Sequence, residues 1–126
     1  MALQESGEMY LETILILSRK KDFIRSVDIC EYMGYSKPSV SRAMSLLKTG
    51  EFIIMEEDGH IRLTPKGLAI AEKILSRHAL LTELLVTLGV SPETASADAC
   101  RMEHVVSDET FDAFQRHLQE YHQQHQ

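Results

Sequence analysis

Residues 98–107, DACRMEHVVS, put a thiol, a carboxylate and an imidazole within one helical turn, with Cys100, Glu103 and His104 at i, i+3 and i+4. Residues at those offsets share a helix face, so the three side chains are expected to project together. Thiolate, carboxylate and neutral imidazole are the donors that hold divalent transition metals. A Cys, Glu and His set with one position left open could also activate water, so a metal sensor and a metalloenzyme both start from this stretch. A complete ligand set needs side chains converging from more than one element. Elsewhere Met9 and Glu12 stand at i, i+3 near the start of the chain, and His78 lies near the middle of a long helical pattern.

The elements that must position these residues are mainly helices. Each of the three prolines sits just inside a plausible helix start, and Gly34, Gly50 and Gly89 sit where helices can stop. The spacing predicts a first helix from Glu8 to Lys20, a second from Ser26, as N-cap, to Met33, and a third opening at Ser36 and stopping at Gly50. The period then changes. FIIMEEDGHIRL is two short runs around Asp58-Gly59, which predicts a β-hairpin, or wing. Thr64-Pro65 caps a fourth helix whose apolar stripe continues to Thr87, a rod of about 34 Å. Ser91-Pro92 starts a fifth helix and Ser107 a sixth, on which Phe111, Phe114, Leu118 and Tyr121 form a 3, 4, 3 seam suited to packing on another helix. The tail HQQHQ is expected to fray, leaving His117, His122 and His125 outside any site. Cys30 shares the inner face of the second helix with Ile29 and Met33 and is read as packing.

Two short helices, the second capped by SKPS, followed by a hairpin, is the order of a winged helix-turn-helix. The third helix, SKPSVSRAMSLLKTG, carries Lys37, Arg42 and Lys48 and no acid, with Ser36, Pro38, Ser39 and Ser41 near its N-terminus. Cations and short hydroxyls at a helix N-terminus suit phosphate oxygens and base edges, while Val40, Met44 and Leu47 supply the buried face. Ser36, Lys37, Pro38, Ser39, Ser41, Arg42 and Lys48 are therefore the candidate contacts to double-stranded DNA. At the wing tip, His60 suits either a phosphate contact or plain solvation.

A net charge of -6 looks wrong for a nucleic-acid binder until it is divided along the chain. Residues 1–77 hold 11 Lys/Arg and 11 Asp/Glu and are neutral; residues 78–126 hold 2 and 8 and carry the whole excess. The acidic part then reads as the half held away from DNA. With 126 residues, 44% of them apolar and 25% charged, the composition is that of a soluble globular protein. Two cysteines suit free thiols in a reducing compartment. No apolar run reaches the roughly 20 residues that cross a bilayer, so a cytoplasmic protein with no membrane partner is expected. The fold class is mainly α: a winged helix-turn-helix over residues 1–64 followed by a helical metal-binding and dimerisation domain over 65–126, the long helix 65–87 being shared.

GEMYLETIL, the helix-turn-helix segment, LTPKG, SRHALLTELL and DACRMEHVVSDE together resemble the metal-dependent repressors typified by the diphtheria toxin repressor and the manganese transport regulator, over about residues 7–110. The resemblance implies a homodimer that binds operator DNA when loaded with a divalent metal and represses uptake genes. It matches Met9, Cys100, Glu103 and His104 to the primary site of the iron-responsive branch. Glu12 and His78 match positions that the manganese-responsive branch uses for a two-metal site, with Glu103 able to bridge. The chain looks mixed: Met9 and Cys100 stand where the manganese branch has carboxylates, yet Glu12 stands where the iron-type prototype is basic. Thr82 and Ser96 replace the glutamate and histidine of the iron branch's ancillary site, and Glu83 is one residue from the expected place.

Donor chemistry bears on the metal independently. A thioether and a thiolate beside imidazole and carboxylate make a softer site, favouring Fe(II), Co(II), Ni(II) or Zn(II) over Mn(II). Fe(II) is the expected metal, with Mn(II) as the alternative. The expected ligands straddle both halves, so a bound ion would tie one to the other. Two rival readings remain: a winged-helix regulator answering to an organic effector, as in the multiple-antibiotic-resistance regulators, and a metalloenzyme. Nothing in the sequence supplies a second catalytic group, and a non-enzyme is expected.

Overall fold

The computed structural model describes residues 5–125, which form six helices and one two-stranded antiparallel sheet. They fall into two compact units that part between Lys73 and Ile74. The architecture is the expected one, an N-terminal winged helix-turn-helix followed by a helical domain.

The first unit holds α1 (Glu5–Ser18), α2 (Ser26–Met33), α3 (Lys37–Thr49), β1 (Ile53–Met55), β2 (Ile61–Leu63) and the opening turns of α4 (Pro65–Thr87). α1 packs on α2, α3 and β2, and α3 packs on β1. Leu11, Ile14, Ile24, Ile29, Val40, Met44, Ile53 and Ile61 are fully enclosed, each contributing about 1.5–3 kcal/mol of apolar burial. Tyr10 joins them, its ring edge-on to Tyr35 at 6.1 Å. Burial, followed by the nearby Tyr35 and Cys30, raises the Tyr10 phenol above its ordinary range. Cys30 is half-buried on α2, near Tyr10.

In the first unit the helix ends depart from the expected ones at α1, which runs Glu5–Ser18 rather than Glu8 to Lys20, and at the start of α2. Ser36 caps α3 by accepting the Ser39 amide at 3.4 Å. At α2 the cap is Arg25, not Ser26: Arg25 is extended (φ -123°, ψ 168°), and its amide donates to Asp28 Oδ2 at 2.8 Å. Asp28 also accepts from Lys21 Nζ at 2.6 Å. That bond first, then the Arg25 amide, holds the Asp28 carboxyl below the usual carboxylate range. The stabilisation is present above about pH 4, where unfolded aspartates are ionised, and is lost as pH falls through the lower folded value. Lys21 is half exposed, so solvent screening discounts its ion pair as a source of stability. Asp28→Ala is expected to cost about 1 kcal/mol at pH 7, with the gap to wild type narrowing below about pH 4; urea unfolding at pH 7 and pH 3 measures both.

At the other end of α3, Gly50 is right-handed (φ -77°, ψ 0°) and Glu51 takes the left-handed turn at φ 64°. Gly50 is small for a different reason: a Cβ there would lie 2.6 Å from the Phe52 ring. The wing pairs Ile53 with Leu63, Ile54 with Arg62 and Met55 with Ile61. Its turn is closed by the Gly59 amide on the Glu56 carbonyl at 2.9 Å, with Gly59 at φ 90°. The Ile61 amide bonds the Ile24 carbonyl at 2.9 Å, which ties the wing to the α1–α2 connection. His60 is half-buried, with its ring 4.7 Å from that of Phe23.

The second unit holds α4 from Ile74 onward, α5 (Pro92–Met102) and α6 (Asp108–Gln124). Ile74, Leu81, Leu84, Ala95, Ala99 and Leu118 are its buried apolar residues. Ser91 and Ser107 cap α5 and α6 as expected, accepting the Thr94 and Thr110 amides. The tail does not fray at His122: α6 runs to Gln124, His122 meets Glu83 of α4, and the His125 ring stacks on Tyr121 at 4.1 Å. None of the described helices is long and apolar enough to cross a membrane.

Candidate functional site

The stretch that carries the candidate ligands is a helix end, not the helix face expected from its spacing. α5 stops at Met102, Glu103 closes its last turn (φ -60°, ψ -21°) with its amide on the Ala99 carbonyl at 3.0 Å, and His104 lies beyond. Ser107 caps the next helix, so the chain leaves α5 here, and the β-branched pair Val105-Val106 lies in the connection. The amides of Val105 and Val106 both turn onto the Met102 carbonyl, at 3.1 and 3.0 Å.

This geometry turns two ionisable side chains inward. Glu103 and His104 have no side-chain exposure at all. Glu103 Oε1 lies 3.4 Å from His104 Nε2, and Glu103 Oε2 lies 3.0 Å from Nδ1 of His78 on α4. The other ring nitrogen of His78 is 3.4 Å from Ser96 Oγ. A carboxylate removed from water costs several kcal/mol unless it is paired; here an imidazole stands at each of its oxygens. Thr82, at the other ancillary position, spends its hydroxyl on the His78 carbonyl at 2.7 Å.

The structure thus brings His78, Glu103 and His104 together, with Ser96 at their edge. Cys100 is half-buried on the last turn of α5 and is in no disulfide. Met9 and Glu12 are half-buried on α1, in the first unit. Among the described residues, no group of three His, Cys, Asp or Glu side chains stands in a geometry that holds a metal ion; the contacts are pairwise and run through Glu103. In type, imidazole, carboxylate and thiol fit a divalent transition metal.

Sequence reasoning missed Arg77. It is buried, and its Nη1 donates to the main-chain carbonyls of Glu103 at 3.2 Å and Val106 at 3.0 Å. The available signal was its place on the apolar stripe of α4, three residues after Ile74 and four before Leu81.

In the first unit, α3 separates its residues cleanly. Val40, Met44 and Leu47 are buried, whereas Ser36, Lys37, Pro38, Ser39, Ser41, Arg42 and Lys48 all face solvent. The open face carries three cations and no acid, beside a helix N-terminus whose dipole favours anions.

Two family models match in succession. Residues 2–61 match the iron-dependent repressor N-terminal DNA-binding domain, and residues 64–125 match the iron-dependent repressor metal-binding and dimerisation domain. The chain is 38% identical over 112 residues to transcriptional regulator MntR of Escherichia coli O6:H1, covering 89% of this chain and 72% of that one. It is 35% identical over 108 residues to the iron-dependent repressor IdeR of Mycobacterium tuberculosis, covering 85% and 47%. The solved structure of the manganese regulator SloR superposes with a TM-score of 0.79 at 27% identity, over 94% of this chain and 55% of SloR. The chain therefore spans about half the length of IdeR and SloR. On both halves of its length and on the identity to MntR, the chain belongs to the iron-dependent repressor family of metal-dependent transcriptional regulators.

Proposed function

We propose that the chain is a metal-activated repressor, two copies of which bind operator DNA when loaded with Fe(II). The observation that carries this reading is Glu103: a wholly buried carboxylate set between the imidazoles of His78 and His104, in the half that matches a metal-binding and dimerisation domain. Cys100, Glu103 and His104 would hold the ion, and the resemblance adds Met9. Glu12 and His78 are the candidates for a second position. When bound, the ion supplies a preference for the arrangement of paired reading heads that fits the duplex. The exposed face of α3, with Ser36, Lys37, Pro38, Ser39, Ser41, Arg42 and Lys48, is the proposed DNA contact.

Cys100 is the feature that favours iron, since a thiolate is a softer donor than a carboxylate. Mn(II) is the second reading, favoured by the carboxylate at Glu12 and by the likeness to SloR, a manganese regulator.

Metal and DNA must strengthen each other's binding by the same factor. Titrating operator DNA anaerobically, with free Fe(II), Mn(II), Co(II) or Zn(II) held constant, is expected to show about 5–150-fold tighter binding with the cognate metal. Equal affinity with and without every metal would overturn the reading, and the rank of Fe(II) against Mn(II) decides between its two forms.

A further inference from the structure

Arg77 holds the ligand-bearing turn by its main chain. Its side chain is 8% exposed, and its plane lies over the Phe111 ring at 4.9 Å. Nη1 bonds the carbonyls of Glu103 and Val106, and Nη2 pairs with Asp108 at the start of α6. One guanidinium therefore grips both ends of the turn 103–106, which carries Glu103 and His104. The next residue along α4, His78, touches the Glu103 carboxylate itself. Two consecutive residues of α4 thus fix one glutamate, by its backbone and by its side chain. A buried guanidinium carries a large desolvation cost, and ordinary packing at this stripe position would be met by a leucine. Its acceptors, two main-chain carbonyls and a carboxylate around a planar fork, are what an arginine satisfies and a lysine ammonium on one stem does not.

We propose that Arg77 is a positioning residue for the metal site: its hydrogen bonds to the Glu103 and Val106 carbonyls set the orientation in which Glu103 and His104 meet a divalent cation. This rests on the proposed ligand set. Partners that orient ligands typically contribute 10–100-fold to metal affinity. A merely structural arginine would lower thermal stability and leave the affinity of the folded protein unchanged.

The test uses Co(II) alone, whose visible absorption reports ligand geometry, on the full chain and on Arg77→Lys. Circular dichroism of the metal-free proteins first establishes that both are helical. The expected result is at least about tenfold weaker Co(II) binding by the folded variant, with altered visible bands. Binding within twofold of wild type, with unchanged bands, overturns the proposal. If Arg77→Lys does not fold, Arg77→Gln takes its place; its single amide group cannot bond both carbonyls and Asp108 at once. An affinity lowered at least threefold then supports the clamp, and an unchanged one overturns it. Wild type that binds no Co(II) overturns the ligand set beneath it, which separates that failure from failure of the clamp.

Discussion

Glu103→Gln is expected to abolish the metal response of operator binding while leaving the fold intact. The amide has the same size as the carboxylate and can still hydrogen-bond the His78 and His104 rings, and Arg77 holds the main-chain carbonyl of residue 103, which the substitution does not touch. What changes is the charge and basicity of the central donor. A structural metal site is worth about 10–16 kcal/mol over about four ligands, so one ligand accounts for about 3 kcal/mol, a loss of at least about 100-fold in metal affinity. Metal titration followed by calorimetry gives the affinity, and a thermal melt of the metal-free protein controls for the fold. A variant that folds, binds metal as wild type does and still tightens on DNA would remove Glu103 from the site.

The parts of this fold that were legible from sequence are those whose causes are local. Ser36, Ser91 and Ser107 each cap a helix through an amide three residues away, so residue type and spacing carry the whole interaction. The inward and outward residues of α3 are fixed by the same short-range periodicity. Where the cause lies at a distance, the reading failed or went too far. The third helix stops at Gly50 as expected, but the sequence did not show that Gly50 is small because of the Phe52 ring or that the left-handed conformation falls on Glu51. Spacing alone put Cys100, Glu103 and His104 on a helix face, whereas the restart of the chain at Ser107 ends α5 first. What Arg77 holds could not be read from its neighbourhood, because its partners at Glu103 and Asp108 are 26 and 31 residues away. For the candidate site, residue chemistry singled out Glu103 and His104, the resemblance added His78, and the tertiary fold sets both imidazoles against the buried Glu103 carboxylate.

The cations of α3 give the largest expected effect on DNA binding. Lys37, Arg42 and Lys48 are exposed while Val40, Met44 and Leu47 form the core contact, so Lys37→Ala, Arg42→Ala and Lys48→Ala combined should leave the unit folded. Ser36 is kept because it caps the helix. In a dimer the combination removes six positive charges. Each phosphate contact contributes about -0.9 to the slope of log affinity against log salt, so the slope is expected to flatten by about five if all six engage phosphates. Affinity near 0.1 M salt should fall by about a thousandfold or more. Metal affinity measured without DNA should not change, because none of the three residues is in the proposed ligand set. Fluorescence anisotropy of labelled operator across a salt series measures both quantities. A variant that retains the wild-type slope would mean that this face of α3 does not lie against the duplex.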